Sequence, residues 1–136
     1  MITGINHITL SVRDIPESFA FYTDVLGLKP VQKSPSSAYV LAGPAWIALT
    51  LDSHARTEPL PEYTHIAFSV SQDDFAPMKA RLEAAGARKW QENRTEGDSY
   101  YFLDPNGHKL EIHTTDLQTR IADGKRIWGD QVQWFV

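Results

Sequence analysis

In the stretch His7-Ile8-Thr9-Leu10-Ser11-Val12, small or polar residues alternate with large apolar ones. The same pattern returns in the second half of the chain as His65-Ile66-Ala67-Phe68-Ser69-Val70. Alternation with a period of two predicts a strand that buries one face, so both segments are predicted strands. In each copy the leading histidine lies on the polar face. The repeat indicates a fold built from two copies of one unit.

A helix is predicted after each of these strands. In the first copy Asp14 can cap a helix that ends at Gly27. In the second copy the helical pattern starts at Asp73 or Asp74 and ends at Gly86. The two halves therefore share an order of strand and helix as well as a strand motif.

Extended segments separated by turns follow each helix. Four of them are clear: Ala38 to Leu41, Ala45 to Leu51, Ser99 to Leu103 and Lys109 to His113. We therefore predict an α+β fold of two tandem modules within one domain, 1–136. Each has a strand, a helix and then two or three strands, which is βαβββ with three. Module one covers about 1–52, module two about 62–115, and a C-terminal helix with a tail covers 116–136. The helix is expected to run from Asp116 to about Gly124.

Composition narrows the function classes. The chain has 136 residues, a formal net charge of −4 and no run of basic residues, which argues against nucleic-acid binding. No apolar run approaches the roughly 18 to 20 residues that span a bilayer, and the first residues lack the pattern of a signal peptide, so no membrane association and a cytoplasmic location are expected. Because the chain has no cysteine, a protein metal site must use His, Asp or Glu.

One set of metal-ligating side chains follows from the repeat. His7 and His65 hold equivalent positions, and Glu111 lies on the polar face of the last predicted strand. If the sheets curl so that their polar faces share a cleft, these three converge across the pseudo-twofold axis. Two imidazoles and a carboxylate suit Mn, Fe, Co, Ni or Zn. Ala48 takes the position of Glu111 in the first half, so one site is predicted, with His113 as a supporting or spare ligand.

A doubled module with this ligand set resembles the vicinal oxygen chelate (glyoxalase-like) superfamily. Within it, the chain is similar to the fosfomycin-resistance glutathione transferases over nearly its whole length. The resemblance rests on Gly4 to Leu10, Phe21-Tyr22, Tyr63-Thr64-His65, Asn93 to Ser99, Tyr101 to Glu111, and Asp116-Leu117 with Arg120.

The resemblance implies a Mn(II)-dependent enzyme that opens the epoxide of the antibiotic fosfomycin with glutathione. It also implies a domain-swapped homodimer, in which His7 of one subunit joins His65 and Glu111 of the other at the metal. Other divalent metals remain open.

The resemblance assigns roles to further residues. Thr9 would lie close to the epoxide, and Tyr101 and Arg120 would hold the phosphonate. A potassium ion would bind at a loop, and a channel would take glutathione, with Tyr39 favouring the thiolate. The loop residues are Thr95, Glu96 and Ser99, and the channel residues are Tyr39 and Trp46.

The chain departs from the family pattern where a lysine usually contacts the phosphonate. Gln91 stands there, and Lys89 is expected on the opposite face of the strand. The segment Lys33 to Ser37 also lacks a tryptophan that some members have in the thiol channel. Three alternatives therefore stay open: a thiol transferase for another electrophile, an extradiol dioxygenase, and a metal-free protein that sequesters a drug.

Overall fold

The computed structural model describes residues 1–136 and consists of two four-stranded sheets with three helices. The strands are β1 (His7–Val12), β2 (Lys29–Lys33), β3 (Ser37–Ala42), β4 (Ala45–Leu51), β5 (Ile66–Ser69), β6 (Lys89–Gln91), β7 (Ser99–Leu103) and β8 (Lys109–His113). The helices are α1 (Ile15–Ala20), which continues as a π-helical turn over Phe21–Val25, α2 (Gln72–Ala84) and α3 (Leu117–Ile127). None of the three combines the length and apolar character needed to cross a bilayer.

The two sheets have the same topology. The first has the order β1-β4-β3-β2 and the second β5-β8-β7-β6. In each, the opening strand pairs in parallel with the last strand, and the other pairs are antiparallel. The predicted α+β fold of two βαβββ units is confirmed. One apolar core joins both units, with Leu10 and Tyr22 from the first and Leu82, Phe102 and Leu110 from the second.

The helix caps explain where the helices begin. Asp14 accepts a hydrogen bond from the Glu17 amide at 2.8 Å, as predicted for the start of α1. Helix α2 begins at Gln72, slightly earlier than predicted, because Ser71 caps it through the Asp74 amide. The left-handed backbone of Gly27 (φ +73°) ends the first helical segment.

The sequence left one feature of the fold open and predicted another incorrectly. The second strand of each unit in chain order, β2 or β6, was left open by the sequence. It is a sheet edge with a register irregularity, which disturbs the alternation of its side chains. The predicted end of the last helix at Gly124 is wrong, since α3 continues to Ile127. Gly124 stays helical because the rings of Trp128 and Trp134 pack directly against its backbone.

A buried turn after β7 ties the second unit to the first. Asp104 Oδ1 accepts from the amides of Asn106 and His108, and its Oδ2 accepts from the Tyr22 hydroxyl at 2.7 Å. Asn106 donates to Ser18, and His108 Nε2 donates to the carbonyl oxygen of Ser11. These bonds fix the relative placement of the two sheets, and they give His108 a structural role.

Tyr22→Phe is expected to destabilise the fold by about 1–3 kcal/mol at neutral pH, because Asp104 Oδ2 would lose a buried donor. Burial, followed by the charge of Asp104, raises the pKa of Tyr22 well above its usual 10.0. The contribution of Tyr22 to the free energy of unfolding is therefore complete below about pH 10. It declines as the pH rises towards the pKa of Tyr22 in the folded state. Urea unfolding at pH 7, 9 and 10.5 should show a steeper alkaline loss for the wild type than for Tyr22→Phe. Equal losses would contradict this role, since Tyr100 and Tyr101 are present in both proteins.

Candidate metal centre

One cross-strand row of the second sheet contains two residues of the candidate site, Glu111 and Tyr101. Ala67 pairs with Glu111, Glu111 with Tyr101, and Tyr101 with Gln91. Directly paired residues project from the same face of a sheet, so Glu111, Tyr101 and Gln91 share one face. Lys89 pairs instead with Phe102, a fully buried core residue, which places Lys89 on the other face as predicted.

His65 and Glu111 form the centre of this face. The Nε2 atom of His65 lies 3.1 Å from Oε1 of Glu111, and its Nδ1 atom lies 3.0 Å from the carbonyl oxygen of Tyr63. A carbonyl can only accept, so Nδ1 carries a proton and donates to it. A neutral His65 then presents the bare lone pair of Nε2 to a carboxylate oxygen. Two acceptors facing each other need a proton or a cation between them, and this pair therefore fits a divalent metal.

Aromatic rings enclose His65. The ring centroids of Tyr63, Trp90 and Tyr101 lie 5.0, 5.4 and 6.0 Å from the imidazole centroid. The ammonium of Lys109 lies 5.1 Å from the Trp90 ring and donates to a backbone carbonyl. Burial, and then the charge of Glu111, raise the pKa of Tyr101, so its phenol remains a neutral hydrogen-bond donor at physiological pH.

The second carboxylate oxygen of Glu111 contacts a hydroxyl and an imidazole. Ser99 Oγ donates to Oε2 at 2.6 Å, and His113 Nδ1 lies 3.4 Å from the same oxygen. His113 also contacts Ser99 Oγ through Nδ1 and Thr115 Oγ1 through Nε2. Both ring nitrogens of His113 are therefore engaged, which excludes it as a spare ligand in this arrangement and leaves it a supporting role.

His7 does not join the other two ligands within one chain. It is exposed at the start of β1, where its Nδ1 lies 2.7 Å from Asn6 Oδ1 and its ring centroid lies 4.4 Å from that of Trp46. No group of three or more ligating side chains forms in the single chain. The three therefore do not converge within one chain, where His7 belongs to the first sheet and His65 and Glu111 to the second. That His7 joins the other two from a second subunit, as the resemblance implies, stays a prediction.

The strand pairing shows which residue of the first sheet is equivalent to Glu111. Thr9 pairs with Ala48 in the first sheet, as Ala67 pairs with Glu111 in the second. Alanine therefore occupies the position equivalent to Glu111. Thr9 also lines a polar cavity of about 380 Å³, together with His65 and Lys109.

Two aromatic side chains adjoin His7 on the first sheet. Trp46 lies beside His7, and the Tyr39 ring centroid is 4.9 Å from that of Trp46. The indole Nε1 of Trp46 is the single buried side-chain polar atom without a hydrogen-bond partner in the chain. A buried N–H without an acceptor is costly, so this donor favours a partner from outside the chain.

The loop 93–98 is held by its own hydrogen bonds. Asn93 Oδ1 accepts from the amide and the hydroxyl of Thr95, at 2.9 and 2.8 Å, and Asn93 Nδ2 donates to the Gly97 carbonyl. Ser99 is buried and directs its hydroxyl to Glu111, whereas Glu96 is exposed. The hydroxyls of Thr95 and Ser99 are thus already engaged by protein groups.

Arg120 is exposed on α3 and lies beside Trp128. Its guanidinium carbon is 5.5 Å from the Trp128 ring centroid, and it forms no salt bridge. Trp128 and Trp134 stack with centroids 5.8 Å apart, over the backbone of Gly124. A small recess contains Glu96, Arg120 and Trp128, so the tail adjoins the loop 93–98.

Gly124→Ala is expected to displace the stacked rings, since an added Cβ would lie 2.7 Å from Trp128 and 2.8 Å from Trp134. We expect a loss of about 1–3 kcal/mol despite the higher helix propensity of alanine. Urea unfolding would measure the loss, and near-ultraviolet circular dichroism would report the tryptophan pair. Gln118→Ala, on the exposed face of the same helix, is the control. An unchanged aromatic signal in Gly124→Ala would contradict this packing.

The structure places further residues against His65 and Arg120 that the sequence analysis did not single out. Tyr63 and Trp90 surround His65, and Trp128 contacts Arg120. Two of these residues had a local signal: Trp128 is four residues from Gly124 on one face of a helix, and Tyr63 precedes His65 by two residues. Trp90 meets His65 only because the fold brings a distant segment beside it.

Comparisons with known proteins show the family and the fold of the chain. Residues 4–112 match the model of the Glyoxalase/Bleomycin resistance protein/Dioxygenase superfamily. The chain is 43% identical over 124 residues to glutathione transferase FosA of Serratia marcescens, covering 90% of this chain and 88% of that protein. It is 41% identical over 128 residues to metallothiol transferase FosB of Shouchella clausii, covering 90% and 87%.

A solved structure shows the same fold with a metal. It is a variant of the fosfomycin resistance protein FosX from Listeria monocytogenes, complexed with Mn(II) and 1S,2S-dihydroxypropylphosphonic acid. Its TM-score against this chain is 0.79 at 27% identity, with 90% of this chain and 99% of that chain covered.

Proposed function

Because the chain belongs to the Glyoxalase/Bleomycin resistance protein/Dioxygenase superfamily, and within it to the fosfomycin-resistance enzymes, we propose that it adds the thiol of glutathione to the epoxide of fosfomycin. The proposed enzyme is a homodimer that depends on Mn(II) or a related divalent metal. The observation that carries the proposal is that His65 Nε2 faces Glu111 Oε1 at 3.1 Å, while His65 Nδ1 is engaged by the Tyr63 carbonyl.

The proposed dimer supplies the third ligand. In one chain His7 is exposed on a different sheet from His65 and Glu111. Strands β1 and β5 are also free sheet edges, and Ile2, Ile5 and other apolar side chains near β1 are exposed. A second copy that packs against β1 would cover this surface and bring its own His65–Glu111 pair to His7.

A divalent metal at His7, His65 and Glu111 would act as a Lewis acid for the epoxide oxygen. The protein's own groups would orient the reactants. The neutral phenol of Tyr101 and the unpaired guanidinium of Arg120 would donate to the phosphonate, and Thr9 would line the pocket beside the ring. Tyr39 and Trp46 would line the thiol channel. There the Trp46 N–H, which has no hydrogen-bond partner in the chain, would donate to an acceptor of the thiol.

The bonding change is an opening by substitution at carbon. A thiolate sulfur forms a bond to a ring carbon from the side opposite the C–O bond, which breaks with its electron pair on oxygen. The proton lost from the thiol balances the proton that the oxygen gains. Since the chain has no cysteine, the thiol must be a cosubstrate.

Phosphorus NMR of fosfomycin with the purified protein, Mn(II), K⁺ and glutathione tests this proposal. An adduct signal that requires both metal and thiol is expected. A diol signal without thiol would instead indicate hydration, the alternative favoured by the similarity to the FosX complex that holds a dihydroxypropylphosphonic acid. Absence of any product despite bound metal would overturn both and direct the search to other electrophiles, to catechols and to drug sequestration.

A potassium ion is proposed at Thr95, Glu96 and Ser99. The exposed carboxylate of Glu96 adjoins the recess that contains Arg120, so a bound cation there would add positive charge near the proposed phosphonate site. Replacing K⁺ by tetramethylammonium at constant ionic strength is expected to lower kcat/KM for fosfomycin. The same turnover in both salts would contradict this role.

A further inference from the structure

A chain of three hydrogen bonds links Glu111 through Ser99 and His113 to Thr115, and the donors and acceptors along it follow one direction. The carboxylate of Glu111 only accepts, so the 2.6 Å contact uses the single hydroxyl proton of Ser99. The contact between Ser99 Oγ and His113 Nδ1 must then use a proton from the imidazole. A neutral His113 with its proton on Nδ1 has a bare Nε2, which accepts from the hydroxyl of Thr115.

This direction depends on the tautomer of His113. With the proton on Nε2, His113 would donate to Thr115 and its Nδ1 would become an acceptor for Ser99. The single Ser99 proton could then be drawn away from Glu111, leaving Oε2 without a donor. The tautomer therefore decides whether the second carboxylate oxygen is held in place.

We propose that His113 is a positioning residue, whose Nδ1 proton holds Ser99 as the donor to Glu111 Oε2 and so leaves Oε1 directed at His65. Glu111 is about 6% exposed, so this end of the chain of bonds is largely shielded from solvent. His113 lies directly opposite Ser99 on the paired strands β7 and β8, which holds the two side chains next to each other. Ser99 would then have two roles: its hydroxyl donates to Glu111, and it is also one of the residues of the proposed potassium site. The inference rests on the proposed metal site and assigns the groups that orient its carboxylate.

The consequence is measured as metal affinity. Groups that orient a metal-binding side chain typically change affinity by about 10–100-fold when they are removed. His113→Phe removes the donor and keeps a ring, so we expect Mn(II) binding weakened by that amount in titration calorimetry. His113→Asn keeps an N–H near the position of Nδ1 and should restore most of the affinity.

A double-mutant cycle separates the chain of bonds from a general loss of structure. Ser99→Ala should weaken Mn(II) binding as much as His113→Phe, and the double variant should be no weaker than either, because both changes break the same chain. Thermal unfolding of each protein checks that the fold is intact. His54→Asn is the matched control, since His54 is an exposed linker histidine.

Nitrogen-15 NMR gives a readout that does not depend on metal. Shifts of the His113 ring are expected to report a neutral imidazole protonated at Nδ1. A proton on Nε2, or additive effects of Ser99→Ala and His113→Phe on Mn(II) affinity, would overturn the inference. Wild-type protein that binds no Mn(II), yet shows the Nδ1 tautomer, would instead contradict the proposed metal-dependent function.

Discussion

An equimolar mixture of His7→Ala and Glu111→Ala chains, refolded together, is expected to recover about a quarter of the wild-type turnover, although each variant alone has no metal-dependent activity. In the proposed dimer every site takes His7 from one chain and Glu111 from the other. A mixed dimer then has one site with both changes and one site with neither. About half of the dimers in a random mixture are mixed, and each has one intact site of two.

The same mixture distinguishes the two possible ways of assembling the ligands. If all three ligands came from one chain, each chain of a mixed dimer would still lack one of them, and turnover would not recover. A mixture of His65→Ala and Glu111→Ala is the matched control. Those residues face each other within one chain at 3.1 Å, so every site of that mixed dimer lacks one ligand.

Manganese binding supplies the physical measurement. Each single variant should lose high-affinity Mn(II) binding, and the His7→Ala and Glu111→Ala mixture should recover about one site per four chains. Recovery of turnover by the control mixture, or no recovery by the first, would contradict a site shared between chains.

The repeat and the polar faces of the strands could be predicted because they depend on local alternation. The strand motif at His7 and His65, and the equivalence of Ala48 with Glu111, need only the side-chain period of two and the order of segments. Both appear in the observed pairing. The placement of Gln91 and Lys89 on different faces does not follow from that period, which puts residues two apart on the same face. It depends on the register irregularity between them in β6.

The proposed division of the ligands between two chains does not follow from the pattern alone. Symmetry between the repeats makes His7 and His65 equivalent. It leaves open whether the first repeat completes a site with the second repeat of the same chain or with the second repeat of another chain. The observed core joins residues of both units, with Tyr22 bonded to Asp104 of the other unit. His7 nevertheless stays apart from the His65–Glu111 pair in one chain, which no local pattern expresses.

The end of α3 shows a further limit of local reasoning. Glycine commonly ends a helix, and Gly124 was expected to do so. Here its missing side chain makes room for Trp128 and Trp134, which lies ten positions further along. A contact made by the returning tail therefore overrides the local preference.

Gln91→Lys is expected to raise kcat/KM for fosfomycin by about one to two decades, since a charge-assisted hydrogen bond contributes roughly 1.5–3 kcal/mol. Gln91 lies in the same cross-strand row as Tyr101 and Glu111, and its Nε2 donates to the Tyr63 hydroxyl at 2.9 Å. A lysine can still donate to that hydroxyl while adding a positive charge on the metal-facing side. The gain should shrink as ionic strength rises, because the site is partly exposed.

Two comparisons identify the cause of any gain. Lys89→Gln is the positional control: Lys89 lies on the other face and pairs with Glu92 at 2.6 Å, so turnover should stay unchanged. An uncharged epoxide is the substrate control, because Gln91→Lys should not speed its reaction with glutathione. A gain with both epoxides would indicate a general effect on the metal or the thiol. No gain with either would mean that Arg120 and Tyr101 bind the anion without a cation at position 91, and that the neutral glutamine is no defect of this site.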